Sequence, residues 1–197
     1  MNAVNYDKLM TKRLEGARGK TLLLHCCCAP CSTACIERLK DYVKITVLFY
    51  NPNIESGEYE KRKAEIIRYL NETGAADFLD CDHDEREFYS ACKGLENEPE
   101  GGARCLKCFE LRLKKTAELA KDYDFFTTTL TVSPLKNAEA INETGKRLGG
   151  DKWLCSDFKK RGGFLRSTQL AKEHGLYRQD YCGCVYSRLE RERNKKG

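Results

Sequence analysis

Short apolar runs alternate along the chain with longer stretches in which apolar residues recur every three or four positions. Thr21-Leu22-Leu23-Leu24 is a run of the first kind and predicts a short buried strand over 22–24. Lys-Ile-Thr-Val-Leu-Phe-Tyr at 44–50 is β-branched and aromatic, hence a second strand, stopped by Asn51-Pro52-Asn53. Shorter strands are expected at 76–80, 125–131 and 153–158. Between them lie helical patterns at 32–40, 58–71, 84–93, 137–148 and 164–174, with Gly74 and Gly175 as stops. Leu106, Phe109, Leu113, Ala117 and Ala120 share one face of a further helix. Residues 96–104, with Pro99, Gly101 and Gly102, read as a loop, and a final helix follows Cys184.

Strands separated by helices imply βαβ units: a parallel sheet flanked by helices, in a single α/β domain over 1–197 with a C-terminal helical extension. Ligands of such sheets sit at the carboxyl ends of the strands, where strand order reverses. The loop that leaves the first strand is therefore the natural floor of a site.

That loop is His25-Cys26-Cys27-Cys28-Ala29-Pro30-Cys31. Neighbours in extended structure point to opposite sides, so three consecutive cysteines cannot all face one core; in a loop they can converge. Thiolates are soft ligands, and a helix N-terminus lowers their pKa. The chain has 12 Cys in 197 residues, too few for a small disulfide scaffold and in a chain long enough to bury a core. No apolar h-region follows Met1-Asn2-Ala3, and no apolar run approaches the roughly 18 residues a membrane span needs. The expectation is a cytoplasmic protein with no membrane partner, in which clustered cysteines are metal ligands or catalytic thiols. Lys and Arg number 35 against 30 Asp and Glu, a net charge of +5 that permits an RNA partner without demanding one. The basic stretch from Arg188 to Lys196 is either a solvated helix face or a phosphate-contacting tail.

Two further cysteine groups stand apart. Cys105 and Cys108, three residues apart, share one face of a first helical turn, where free N–H groups favour thiolates. With Cys27 and Cys28 they offer four sulfurs from two loops at one sheet edge, a set that suits zinc or an iron–sulfur cluster on ligand count. Adjacent Cys27-Cys28 is a poor zinc knuckle, which favours a [4Fe–4S] cluster. Cys182-Gly183-Cys184 is a candidate labile, catalytic disulfide, or one ligand beside a bystander. Cys26, Cys35, Cys81, Cys92 and Cys155 read as buried structural thiols; Cys81-Asp82-His83-Asp84 is a weak metal site or, on the better reading, an exposed acidic turn, with His83 unassigned. His174 reads as a helix C-cap; His25 is either a donor to the site or a satisfied polar group.

Taken in order, His25–Cys31, Arg104-Cys105-Leu106-Lys107-Cys108-Phe109, Ser133-Pro134-Leu135-Lys136 and Tyr181-Cys182-Gly183-Cys184 resemble the QueH family of epoxyqueuosine reductases over nearly the full length. The resemblance implies a fold related to the adenine nucleotide alpha-hydrolase-like, or PP-loop, group. It implies cobalamin-independent reduction of epoxyqueuosine to queuosine in the tRNA anticodon loop, with electrons from a donor of unknown identity. It implies a [4Fe–4S] cluster on Cys27, Cys28, Cys105 and Cys108, and a redox-active pair at Cys182 and Cys184. Lys136, Tyr181, Asp180 and His25 are candidate proton donors to the departing oxygen. Two other readings are a PP-loop tRNA thiolation enzyme with an iron–sulfur cluster and a zinc-stabilised RNA-binding module. Against the former, the loop after the first strand has no glycine to let backbone cradle a pyrophosphate.

Overall fold

A computed structural model of the chain describes residues 4–195. Residues 1–3, where the expectation of no leader begins, and Lys196 of the basic tail lie outside the described residues. The chain runs α1 (Tyr6–Leu14), β1 (Thr21–His25), α2 (Ala29–Leu39), β2 (Lys44–Leu48), α3 (Ser56–Thr73), β3 (Asp77–Leu79), α4 (Glu85–Ala91), α5 (Ala103–Leu119), β4 (Phe125–Thr128), α6 (Ala138–Gly149), α7 (Gly163–Glu173) and α8 (Val185–Asn194). The strands form one sheet in the order β3-β2-β1-β4, every pairing parallel, as the alternation of strand and helix requires. Strand order reverses beside β1, so the crevice between the ends of β1 and β4 is the switch point.

The core explains why β1 is continuous leucine. Leu22, Leu23 and Leu24 are all fully buried, Leu22 and Leu24 against one face of the sheet and Leu23 against the other. Each contributes roughly 1.5–3 kcal/mol of burial. The first face packs on α2 and α3 residues such as Ile36, Leu39 and Ile66, and the second on Phe109, Leu113 and Ile141 of α5 and α6.

Several expectations are corrected. The expected strand over 153–158 reduces to one parallel bridge, Phe126 to Trp153. Asn142 holds both backbone groups of Ser156, accepting from its N–H (2.9 Å) and donating to its C=O (2.8 Å), so neither enters a ladder. The strand over 125–131 ends at Thr128, whose hydroxyl accepts from Leu130 N–H and starts a 3₁₀ turn. Helix α1 was not anticipated; Asn5 caps it at Lys8 N–H, and Met10 and Leu14 are its buried contacts. Among the thiols expected to be buried, Cys26, Cys35 and Cys92 are, whereas Cys81 and Cys155 are half-buried. His83, unassigned from sequence, stacks on Tyr59 at 3.8 Å and bonds Ile54 C=O at 2.8 Å. His174 does occupy the α7 C-cap, with its ring on Glu72.

Candidate thiol and metal centre

Each cysteine group stands at a helix N-terminus. Cys28 is the N-cap of α2, with Pro30 in the first turn; Cys105 lies in the first turn of α5; Cys184 is the N-cap of α8, its sulfur accepting from Ser187 N–H at 3.4 Å. Cys105 Sγ likewise accepts from Gly101 N–H at 3.2 Å. The positive dipole ends of three helices thus lie at cysteine positions, and at Cys184 a helix N–H bonds the sulfur directly.

The sulfurs of Cys27, Cys28 and Cys31 lie within 4.8 Å of one another, a group that can hold a metal ion. The Cys27 thiol is held well below the ordinary thiol range, chiefly by its contacts with the Cys28 and Cys31 sulfurs, with the positive charges of Arg112 and Lys136 adding to them against its burial. Cys28 is correspondingly pushed up to about 12 by its bond to Cys27. Cys31 was not assigned a role from sequence. Its signal was the spacing Cys28-x-x-Cys31 at the start of a helix.

A cavity of about 350 Å³ is lined by Cys27 and Cys31 of this trio and by Cys182, Tyr181, Lys136 and Arg112. A small apolar chamber adjoins it, sharing Lys136 and Cys182 and lined by Cys105, Cys108 and Cys184. Cys105 packs against the cluster that contains Cys27 and Cys28, while Cys108 packs with Cys184. Burial pushes Cys108 and Cys184 each up to about 12. Five of the six cysteines singled out from sequence as cofactor or redox residues therefore border two adjoining cavities at the switch point, and Cys28, fully buried, contacts Cys27 without lining either. The close sulfur trio, however, is completed by Cys31 and not by a cysteine of α5.

The loop carrying Cys182 is fixed by Arg62, a fully buried side chain that sequence reasoning missed. It donates to Cys182 C=O (3.0 Å) and Tyr181 C=O (3.4 Å) while paired with Glu58 at 2.6 Å. Gly183 has φ +117° and lies against that guanidinium.

The candidate proton donors separate. His25 is a satisfied polar group: Nδ1 meets Thr128 Oγ1 at 2.7 Å, and burial together with Arg112 lowers its pKa to about 3, so at neutral pH it is the neutral imidazole and no general acid. Asp180 accepts from Lys195 and Arg191, which hold its carboxyl below the usual range and keep it ionised. Lys136 and Tyr181 line the main cavity. Burial pulls the Lys136 ammonium down, but the thiols of Cys182, Cys27 and Cys31 outweigh it and hold the group charged. Of the C-terminal basic residues, Arg188 pairs with Glu55 and Glu192, and Arg191 and Lys195 pair with Asp180. No helix is long and apolar enough to cross a membrane among the described residues.

A family model described as epoxyqueuosine reductase QueH matches residues 22–190. Proteins named epoxyqueuosine reductase QueH are similar over most of their length. The one from Streptococcus pyogenes is 41% identical over 93% of this chain and 78% of its own. That from Staphylococcus epidermidis is 40% identical over 95% and 86%, and that from Thermotoga maritima 37% identical over 87% and 92%. The match spans all three cysteine groups and the strands that carry them, and the chain belongs to the QueH family.

Proposed function

We propose that the chain is an epoxyqueuosine reductase acting on tRNA in the cytoplasm, with a [4Fe–4S] cluster on Cys27, Cys28, Cys105 and Cys108 and a redox pair at Cys182 and Cys184. The observation that carries the reading is the shared cavity: Cys27, Cys182 and Lys136 line one space of about 350 Å³ at the sheet's switch point. Two features of the residues suit a metal–sulfur group. The donors are soft thiols at helix N-termini, and both polar atoms of the Asn53 side chain, 3% exposed and lining the small chamber, have no protein partner. When bound, the cluster supplies low-potential electrons one at a time.

The chain's own groups complete the chemistry. Reduction of an epoxide to an alkene breaks both C–O bonds, forms C=C and releases water, consuming two electrons and two protons. Cys182 and Cys184 as thiols hold both: closing one S–S bond releases two electrons and two protons, so the reaction balances. The Lys136 ammonium, charged and inside the cavity, is the donor that protonates the departing oxygen, and a thiol proton restores it. Leu135 and Phe164 at the cavity mouth, with Arg178 beside them, offer apolar and cationic contacts for an unstacked base and its phosphate. The electron donor that reopens the disulfide is a partner of unassigned identity.

The test is anaerobic purification with iron and sulfide assay, then nucleoside mass spectrometry of epoxyqueuosine-containing tRNA incubated with the protein and a chemical reductant. Queuosine should form. A colourless, zinc-loaded protein, or a loaded protein that leaves the nucleoside untouched while thiolating tRNA with ATP, would overturn the reading.

A further inference from the structure

Arg112 lies one helical turn beyond Cys108 on α5 and is 1% exposed. Its Nε donates to His25 Nε2 at 3.3 Å, one Nη to Asn51 Oδ1 at 2.7 Å, and the other Nη to Cys108 Sγ at 3.9 Å. Among the described residues no carboxylate oxygen lies within 4.0 Å of this guanidinium. The other fully buried arginine, Arg62, has one: Glu58 at 2.6 Å.

A guanidinium does not give up its proton in a protein, so Arg112 is a permanent buried cation. Burying such a charge without an anion is strongly unfavourable. Its three partners are an imidazole, a carboxamide and a sulfur, and of these only sulfur can supply negative charge. The group cannot turn away to find another partner. Asn51 is itself held by a bond from Nδ2 to Cys26 C=O at 2.9 Å, and His25 is fixed between β1 and Thr128 of β4. The same guanidinium lines the main cavity beside Cys27. The site therefore carries a fixed positive charge that only ionised sulfur can match, placed against a ligand candidate from each of the two cysteine pairs.

We infer that Arg112 is the counter-charge of the metal–sulfur group and sets how readily that group takes up an electron. Each electron added to a thiolate-bound cluster adds one negative charge with no proton to neutralise it. In a buried site, where water cannot screen the change, a cation in contact with the ligand sulfurs favours the reduced form. The electron comes from the external reductant, which is oxidised by one electron for each one delivered. The inference rests on the cofactor reading above, and adds to it a residue that touches ligand sulfur without ligating metal.

The experiment compares wild type, Arg112→Gln and Arg112→Lys, loaded anaerobically and titrated with dithionite under mediators, with reduction read by absorbance and electron paramagnetic resonance. Wild-type iron and sulfide content is measured first, and a failure there sinks the cofactor reading, not the comparison. Arg112→Gln should keep its iron and show at least a tenfold lower reduced-to-oxidised ratio at a fixed poise, equal to about 59 mV for a one-electron couple. Arg112→Lys, which keeps the charge, should stay within that margin of wild type. Loss of iron from the Gln variant alone, with an unchanged melting temperature, also supports the charge role. A fully loaded Gln variant with the wild-type potential overturns it. So does equal loss of iron from both variants, which would assign Arg112 a purely geometric task.

Discussion

Replacing Gly183 by alanine perturbs the redox loop at its tightest point. The backbone there has φ +117°, outside even the left-handed helical region that Asn or Asp tolerates, and an added Cβ would lie 2.9 Å from both Arg62 Nη1 and Ile54 Cγ1. Neither neighbour can yield: Ile54 is fully buried, and Arg62 is pinned by Glu58 and by Cys182 C=O. Backbone strain of about 1–3 kcal/mol adds to an overpacking cost of about 1–3 kcal/mol, together roughly 2–6 kcal/mol. The cheapest relief is for the loop to lift from α3, moving Cys182 off the cavity while the sheet stays intact. If the loop must return to its place for each turnover, even about 2 kcal/mol slows the chemical step roughly 30-fold. Single-turnover conversion of epoxyqueuosine in tRNA by Gly183→Ala should fall by that factor, with iron content unchanged and the Cys182–Cys184 dithiol equilibrium shifted in a redox buffer. Gly175→Ala is the control, since it has positive φ but open space around the new methyl group. Wild-type turnover and thiol behaviour in Gly183→Ala would refute the argument.

Cys105→Ala should lose both the brown absorbance and activity, as expected when one of four thiolate ligands is removed; iron retention at the wild-type level would remove Cys105 from the ligand set. Cys184→Ser should keep its iron, lose turnover, and show two fewer thiols released on reduction than wild type, by thiol titration. For pH, His25 titrates near 6.5 when unfolded and about 3 when folded. The unfolded chain therefore takes up a proton that the native one refuses. The stability this group contributes is complete above about pH 6.5 and declines by about 1.4 kcal/mol per unit down to about pH 3. Urea midpoints at pH 7 and pH 5 should fall less in His25→Asn than in wild type; equal slopes would contradict the buried neutral imidazole.

The sheet was legible because the apolar runs that build β1 and β2 are continuous, as strands covered on both faces must be. The C-terminal strand was overread because Trp153 and Leu154 carry the right residues, while the backbone groups of Ser156 are claimed by Asn142, a side chain on another element. The six cysteines could be chosen from sequence because each group sits where a strand or loop enters a helix. Cys31 was passed over: its sulfur joins Cys27 and Cys28 only through the first turn of α2. The two fully buried arginines of the site carry no sequence signal beyond spacing, Arg112 at four residues from Cys108 and Arg62 at four from Glu58. Ordinary helix-surface pairs look the same.

All four strands are complete by Thr128, whereas the Cys182–Cys184 loop and α8 are near the end of the chain and dock on α3 through Arg62 and the Glu55–Arg188 pair. During synthesis from the N-terminus, the sheet and the cysteines of α2 and α5 leave the ribosome before the loop that closes over them. If the proposed cluster is loaded at that stage, the Cys182–Cys184 loop closes over it afterwards as a latch.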